Sequence, residues 1–484
     1  MEKGTDAFFE KGTDAFTRPS IFPPVIASLP FSSRQNASVP FSGFGGKCVC
    51  PLFVAGLLGA GLLGAQQHHS VRQLAAGVIE VHAEIAVDAD SELRGAPSGT
   101  VLHLAADFTG RAAIVVRGDN VTLRDFTVDG NRAALEKRAG LPPSNKAFAE
   151  FTRANGVFAE RVSGLTIEHA SFRNIAGFAV LVSRARGIEI HGVTVADSGS
   201  RNALGRNNST GGILLEEGTT DYRVTGCELT NIRGNGIWTH SLFQSPRNSR
   251  GSITLNRFRG IGRDAIQVGH ATAVTVTGNT GSRIGFPIEE VDIENGATPV
   301  AIDTAGDVSQ STYAENRFQD IDGKCIDLDG FHDGEVRANQ CINPAGFASY
   351  RFGHYGIVFN DSHPDVRSQN IRLIDNVIDG TLFGGIFVIG FGHTITGNRL
   401  LSLNASHCNE NTAHYGCHDN AADPDILEAG IYLGRSPLHD NPSRHNVIRD
   451  NRITGYKMQS RCILAAPGVD AHSNTIIGNT CLDQ

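Results

Sequence analysis

The chain has 484 residues, with 42 Lys and Arg against 50 Asp and Glu, a formal net charge of -8 at pH 7. No basic run breaks this acidic balance, which excludes a nucleic-acid partner, and 56 glycines with 19% charged residues describe a soluble, turn-rich protein. The length alone would imply two or three domains, but the repeats described below grow by addition, so residues 66–484 are read as one domain.

Residues 1–46 read as a non-structural extension. Glu2–Phe8 spells EKGTDAF, Glu10–Phe16 repeats it, and a Pro/Ser/Phe-rich stretch without periodicity follows. Residues 47–65 read as a secretory signal, because Lys47 precedes an apolar run, Cys48–Ala65, that ends in small residues before a polar turn. The expectation is a secreted or periplasmic protein, cleaved near Ala65 and free of the membrane after signal removal. A membrane anchor is the rival reading, since a run of this length lies at the lower limit for spanning. Seven cysteines follow: Cys227, Cys325, Cys341, Cys408, Cys417, Cys462 and Cys481. An exported chain can oxidise them. Cys408 with Cys417 and Cys462 with Cys481 are the expected bridges, and the odd count leaves at least one cysteine over. No zinc-type spacing occurs.

The first strands are expected at Gly77–Val81, Val101–Leu104 and Ala113–Val116, followed by Val121–Asn131. A long interruption at Arg132–Phe151 reads as a loop. A phrase, Gly-Ile-x-hydrophobic, then returns at Gly212-Ile213, Gly236-Ile237, Ala265-Ile266, Cys325-Ile326, Gly356-Ile357, Gly385-Ile386 and Gly430-Ile431. Between and after these fall Asn256, Asn279, Asn316, Asn339, Asn376, Asn398, Asn451 and Asn479, beside short runs of alternating apolar and polar residues. Period two with β-branched residues argues strand. A single recurring order of strand, turn and strand argues the stacking of like on like, which is an all-β, single-stranded, right-handed parallel β-helix with loop insertions. The Asn at one turn of every coil would bond the next coil, satisfying groups that a tight turn leaves unpaired. Leu242–Arg250 and Leu403–Glu428 are further loops, of the kind that wall a groove.

Residues 77–482 resemble the right-handed parallel β-helix superfamily that includes pectate lyases and polygalacturonases. Leu123–Asn131 resembles an opening motif of that group. Gly262-Arg263-Asp264-Ala265-Ile266 resembles the Gly-Asp-Asp-Cys-Ile segment of polygalacturonases, matched only in its second Asp by Asp264. The Gly-His-Gly motif of that family is absent, with His354-Tyr355-Gly356 a poor substitute, and so are its Asn-Thr-Asp and Arg-Ile-Lys motifs and the Arg-containing signature of pectate lyases. The resemblance implies the fold, and polygalacturonase chemistry is not carried over.

Strand geometry separates the inward Ile column from outward neighbours. With Val291-Asp292-Ile293-Glu294 taken as the coil between Ile266 and Ile326, the outward columns place Asp292, Glu294, Asp327 and Asp329 in a two-by-two patch. Four carboxylates on strands about 4.8 Å apart cannot all ionise cheaply. They would supply the acid and the base or nucleophile of glycosidic-bond cleavage, or hold calcium at Asp327 and Asp329. The register here has an alternative, in which Ala301-Ile302-Asp303 is the strand and Asp303 replaces Asp292 and Glu294. Trp238 is expected outward as a sugar platform, with burial under the Leu242–Arg250 loop as the alternative. His240, Gln267, His270, His332 and Asn360 are candidate hydroxyl binders. Glu216, with Glu160 on the same face, is a candidate subsite contact. Asp264 is read as a turn cap or a catalytic group. The expected partner is a polysaccharide or oligosaccharide, and the expected activity a glycoside hydrolase. Two alternatives stand beside it: a calcium-dependent lyase using Lys324 or Arg263 as base, and a non-catalytic glycan-binding or surface-structural β-helix. The sequence carries no indication of oligomeric state.

Overall fold

The computed structural model describes residues 69–138, 145–292, 298–346, 349–363, 365–408, 410, 417, 423–436 and 438–484. The expected extension and signal, and Glu294, lie outside the described residues. The fold is a parallel β-helix. Strands stack coil on coil, and each named strand pairs in parallel with its equivalent in the next coil. Each coil contributes three faces. The first runs from Ile85–Val87 through Ala112–Val116, Val180–Ser183, Ile213–Glu216, Ile237–His240, Lys324–Asp329 and Ile357–Asn360 to Ile463–Ala465. The second continues from it, as in Val121–Arg124 and Arg186–His191. The third is a separate 14-stranded sheet from Gly77–Val81 to Thr480–Asp483.

The repeated phrase is now physical. Its Ile residues (Ile213, Ile237, Ile266, Ile326, Ile357, Ile386 and Ile431) form one column, each no more than 1% exposed. Each such burial contributes about 1.5–3 kcal/mol. The preceding Gly presses on the next coil: a Cβ on Gly212 would lie 1.8 Å from the carbonyl oxygen of Gly236. The recurring Asn forms an unbroken ladder. Asn256 Nδ2 donates to Asn279 Oδ1 at 3.0 Å, and the same bond repeats through Asn316, Asn339, Asn376, Asn398 and Asn451 to Asn479. Cys227 heads the column, its N–H donating to Asn256 Oδ1, and its thiol is free and buried.

The expected bridges Cys408–Cys417 and Cys462–Cys481 are present, and a third, Cys325–Cys341, joins the first face to the third within one coil. One expectation of register is corrected. Ile288–Glu290 is a short 3-10 turn, Asp292 follows it outside any strand, and the strand is Val300–Ser309. Ile302 pairs with Ile266 on one side and Ile326 on the other. The cause is the apolar run Val300-Ala301-Ile302, whose three side chains are all buried. Among the described residues, no helix is long and apolar enough to cross a membrane.

Candidate active site

The corrected register brings three carboxylates and one ammonium together. Gln267 pairs with Asp303, and the pairing of Ile302 with Ile326 sets Asp303 beside Asp327 on the neighbouring strand. Lys324 begins that strand, and its Nζ donates to Asp327 Oδ2 at 2.9 Å. Asp264 precedes the strand of Gln267 and accepts the Val300 N–H at 3.0 Å, so it caps this turn while facing the cluster. Asp303, Asp327 and Lys324 are fully buried and Asp264 nearly so.

Burial in such company separates the protonation states. Asp303 is pushed well above the ordinary carboxylate range, first by desolvation and then by Asp264 and Asp327. Its Oδ2 accepts from Gln267 Nε2 at 2.5 Å, and its Oδ1 has no partner among the described residues. Asp264 is raised to about 6 by burial, with Arg263 opposing the shift. Asp327 is also raised by burial, but the Lys324 ammonium acts against this. Two acidic neighbours around Asp303 and one ammonium on Asp327 leave Asp303 the proton holder and Asp327 the carboxylate. His354 is buried, and burial first and then the Lys324 ammonium hold its imidazole well below the ordinary value.

Asp329 lies two residues along from Asp327, on the expected outward column. It accepts from the Ser362 N–H at 2.7 Å and the Ser362 hydroxyl at 2.5 Å, and burial with the Asp327 charge raises it to about 8. Asn360, its neighbour across the pair, is buried and accepts the Asp361 N–H. At the expected calcium pair, the Lys324 ammonium lies on Asp327 Oδ2 and Ser362 donates to both oxygens of Asp329.

Other expected residues lie elsewhere. Asp292, outside any strand, accepts from Asn202 Nδ2 at 2.6 Å. Trp238 is in the expected column but is no open platform. It is 6% exposed and packed against Phe148 and Phe178. The helical turn Phe148–Phe151, and not the Leu242–Arg250 loop, brings Phe148 to it. Glu216 explains the docking: its carboxylate accepts the Phe148 and Ala149 N–H groups at 2.9 and 2.8 Å. Burial raises Glu216 to about 7, and His240, packed beside Trp238, is lowered to about 3. Glu160 binds Arg161 and Arg184. His270 accepts from Arg247, and His332 sits between Asp307 and Asp333. Of the expected binders, Gln267 bonds the carboxylate cluster, through Asp303. Lys324 was legible as a candidate lyase base, but its role as the counter-charge of Asp327 follows only from the coil stack.

A family model described as a right handed beta helix region matches residues 112–298. The chain is a right-handed parallel β-helix protein, and no narrower family is assigned. A search of curated protein sequences gives no match. Solved structures are similar to the chain at low identity. The Dettilon tailspike protein is 15% identical with a TM-score of 0.48, over 69% of this chain and 59% of its own. This chain therefore spans well under two thirds of that protein. The A-module of a mannuronan C-5 epimerase from Azotobacter vinelandii is 13% identical with a TM-score of 0.46, over 84% of this chain and 88% of its own. A DFA-IIIase from Arthrobacter chlorophenolicus gives 13% and 0.46, over 82% and 87%.

Proposed function

We propose that this is an exported glycan-cleaving enzyme, a glycoside hydrolase, in which Asp303 is the general acid and Asp327 the base or nucleophile. The observation that carries the reading is the pair itself: neighbouring carboxylates, one pressed between acidic neighbours and one held by Lys324 at 2.9 Å. Such a pair supplies the two protonation states that glycosidic cleavage uses. Asp303 gives its proton to the leaving oxygen while Asp327 acts on the other reacting centre. Adjacent strands stand about 4.8 Å apart, close to the roughly 5 Å of retaining pairs. Gln267, half-buried, holds Asp303. Three disulfides accord with export to an oxidising compartment.

The burial of Asp303 and Asp327 favours a second reading, a glycan-binding β-helix in which the cluster is structural. Under the first reading a glycan reaches the pair only by displacing what covers it. A lyase is less supported, because its candidate base Lys324 is committed to Asp327. The test is a panel of plant, algal and bacterial polysaccharides assayed for reducing ends and for the ultraviolet absorbance of unsaturated uronates. Reducing ends without that absorbance, lost by about 10²-fold or more in Asp327→Asn, are the expected result. Turnover that survives Asp303→Asn and Asp327→Asn together would remove the cluster from catalysis, and unsaturated product would replace hydrolysis with elimination.

A further inference from the structure

Two carboxylates and an imidazole meet where two segments outside the strands are fastened to the first face. Glu216 pairs in register with His240 on the next coil, so both project from one outward column. Glu217 follows Glu216 with a φ of 58°, a left-handed turn that ends the strand's alternation and leaves its carboxylate near the same imidazole. His240 Nδ1 lies 3.9 Å from Glu216 Oε2 and 4.0 Å from Glu217 Oε1. One nitrogen or oxygen from each of the three residues lies within 4.8 Å of the others, and all three residues are buried. Donors from the two segments orient the carboxylates: the Phe148 and Ala149 N–H groups on Glu216, and the Leu242 N–H and Ser245 hydroxyl on Glu217.

Charge at this spot does not balance as it does at Asp327, where the buried Lys324 ammonium stands at 2.9 Å. Among the described residues, no Lys or Arg lies within ion-pair distance of Glu216. Arg184 comes only to 4.0 Å of Glu217, and it bonds Glu160 at 2.8 Å instead. Two buried carboxylates without a buried cation are costly, and a cation held between them removes that cost. The separations suit a metal ion. Ligands about 2.0–2.2 Å from zinc stand roughly 3.3–3.6 Å apart in a tetrahedron, so side-chain movements of under about 1 Å close the three atoms onto one centre. The imidazole decides which metal. Calcium takes roughly six to eight oxygens, whereas a mixed set of imidazole and carboxylate suits zinc.

We propose that Glu216, Glu217 and His240 bind a zinc ion, which ties Phe148–Phe151 and residues 242–245 to the first face. The N–H and hydroxyl donors on the two carboxylates are then the outer shell that holds the ligands in place. The ligands stand on two successive coils, which is why no linear spacing announces them. The strand of His240 lies two coils before that of Asp303, and the site stands whether or not Asp303 and Asp327 are catalytic.

The full chain is stripped with EDTA and titrated with Zn²⁺, followed by calorimetry and by the fluorescence of Trp238. This is the one tryptophan, and its ring centroid lies 5.1 Å from that of His240. The expected result is saturation at one equivalent, with a changed Trp238 emission and a raised thermal transition. Co²⁺, a paramagnetic substitute, should quench the same emission. His240→Gln and Glu217→Gln, each checked for a cooperative thermal transition, should bind Zn²⁺ at least about tenfold more weakly. His270→Gln and His363→Gln, in the neighbouring pair of histidines, should bind it as the parent does. Absence of binding overturns the site, as does an affinity unchanged in both ligand variants or lost equally in the control variants. Where the ligand variants do not fold, the parent decides: one equivalent of Zn²⁺ and of Co²⁺ bound without any change at Trp238 overturns the site too. Binding of Ca²⁺ or Mg²⁺ in preference to Zn²⁺ overturns the choice of metal.

Discussion

At the scale of single residues, Lys324 is the most consequential side chain. A buried ammonium and a buried carboxylate are each costly alone, and together they satisfy one another. Replacing Lys324 by Met leaves Asp327 charged without a partner, or protonated. The expected outcome is a loss of about 3–5 kcal/mol in urea unfolding, with turnover abolished. Lys324→Met/Asp327→Asn should recover most of that stability and none of the turnover, because the pair's net structural contribution is small while its chemistry needs the charge. A double variant as unstable as Lys324→Met would show that Lys324 acts through packing. Asp329 makes a separate prediction. Its carboxyl is raised from the ordinary 3.8 to about 8, so folding disfavours its ionised form. Its full contribution is present below the unfolded value and is lost as pH rises from about 4 toward 8. Asp329→Asn cannot ionise, so it should match the parent near pH 4 and exceed it by on the order of a few kcal/mol near pH 8. Parallel stability–pH curves for the two proteins would refute the shift.

Among the elements, the Gly-Ile phrase located strands because each part of it has a physical cause: the Ile fills the core column, and the Gly admits the next coil's carbonyl. Asp327 and Asp329 were legible for that reason, since they flank Leu328 on a strand that carries the phrase. The coil at Val300–Ser309 has Ala301 where the phrase has glycine and Thr304 where it has a hydrophobic residue. Val291 and Ile293 imitate its alternation, and nothing local separates the imitation from the strand. Only its neighbours decide, through the pairing of Gln267 with Asp303. Asp303 was therefore visible only as an alternative. The covering of Trp238 was not legible, because Phe148 lies 90 residues away in sequence and is held by Glu216 through backbone N–H groups. Composition records no such contact. Cys325–Cys341 was missed for a similar reason: its cysteines stand on two different faces of one coil and share no obvious loop.

At the scale of the whole fold, the coils form a one-dimensional stack in which each touches mainly its neighbours. Stability then depends on the interfaces, and the Asn ladder is a bond repeated at successive interfaces along the third-face turn. A central rung should be worth more than an end rung. Asn339 Nδ2 donates to Tyr313 O and Asn376 Oδ1, while its own Oδ1 accepts the Asn316 N–H and Nδ2. Asn339→Ala strands these partners where water does not reach, at about 1–3 kcal/mol for a buried unsatisfied group, so a loss of at least about 3 kcal/mol is expected. Asn479 closes the ladder at a partly exposed turn, where water can replace the lost bond to Asn451. Asn479→Ala should cost under about 1 kcal/mol. In urea, the central variant should also broaden or split the transition, because weakening one interior interface lets the coils on either side unfold separately. Equal losses at the two positions, with a single sharp transition in both, would mean that the stack unfolds as one unit and that the ladder is not what joins its coils.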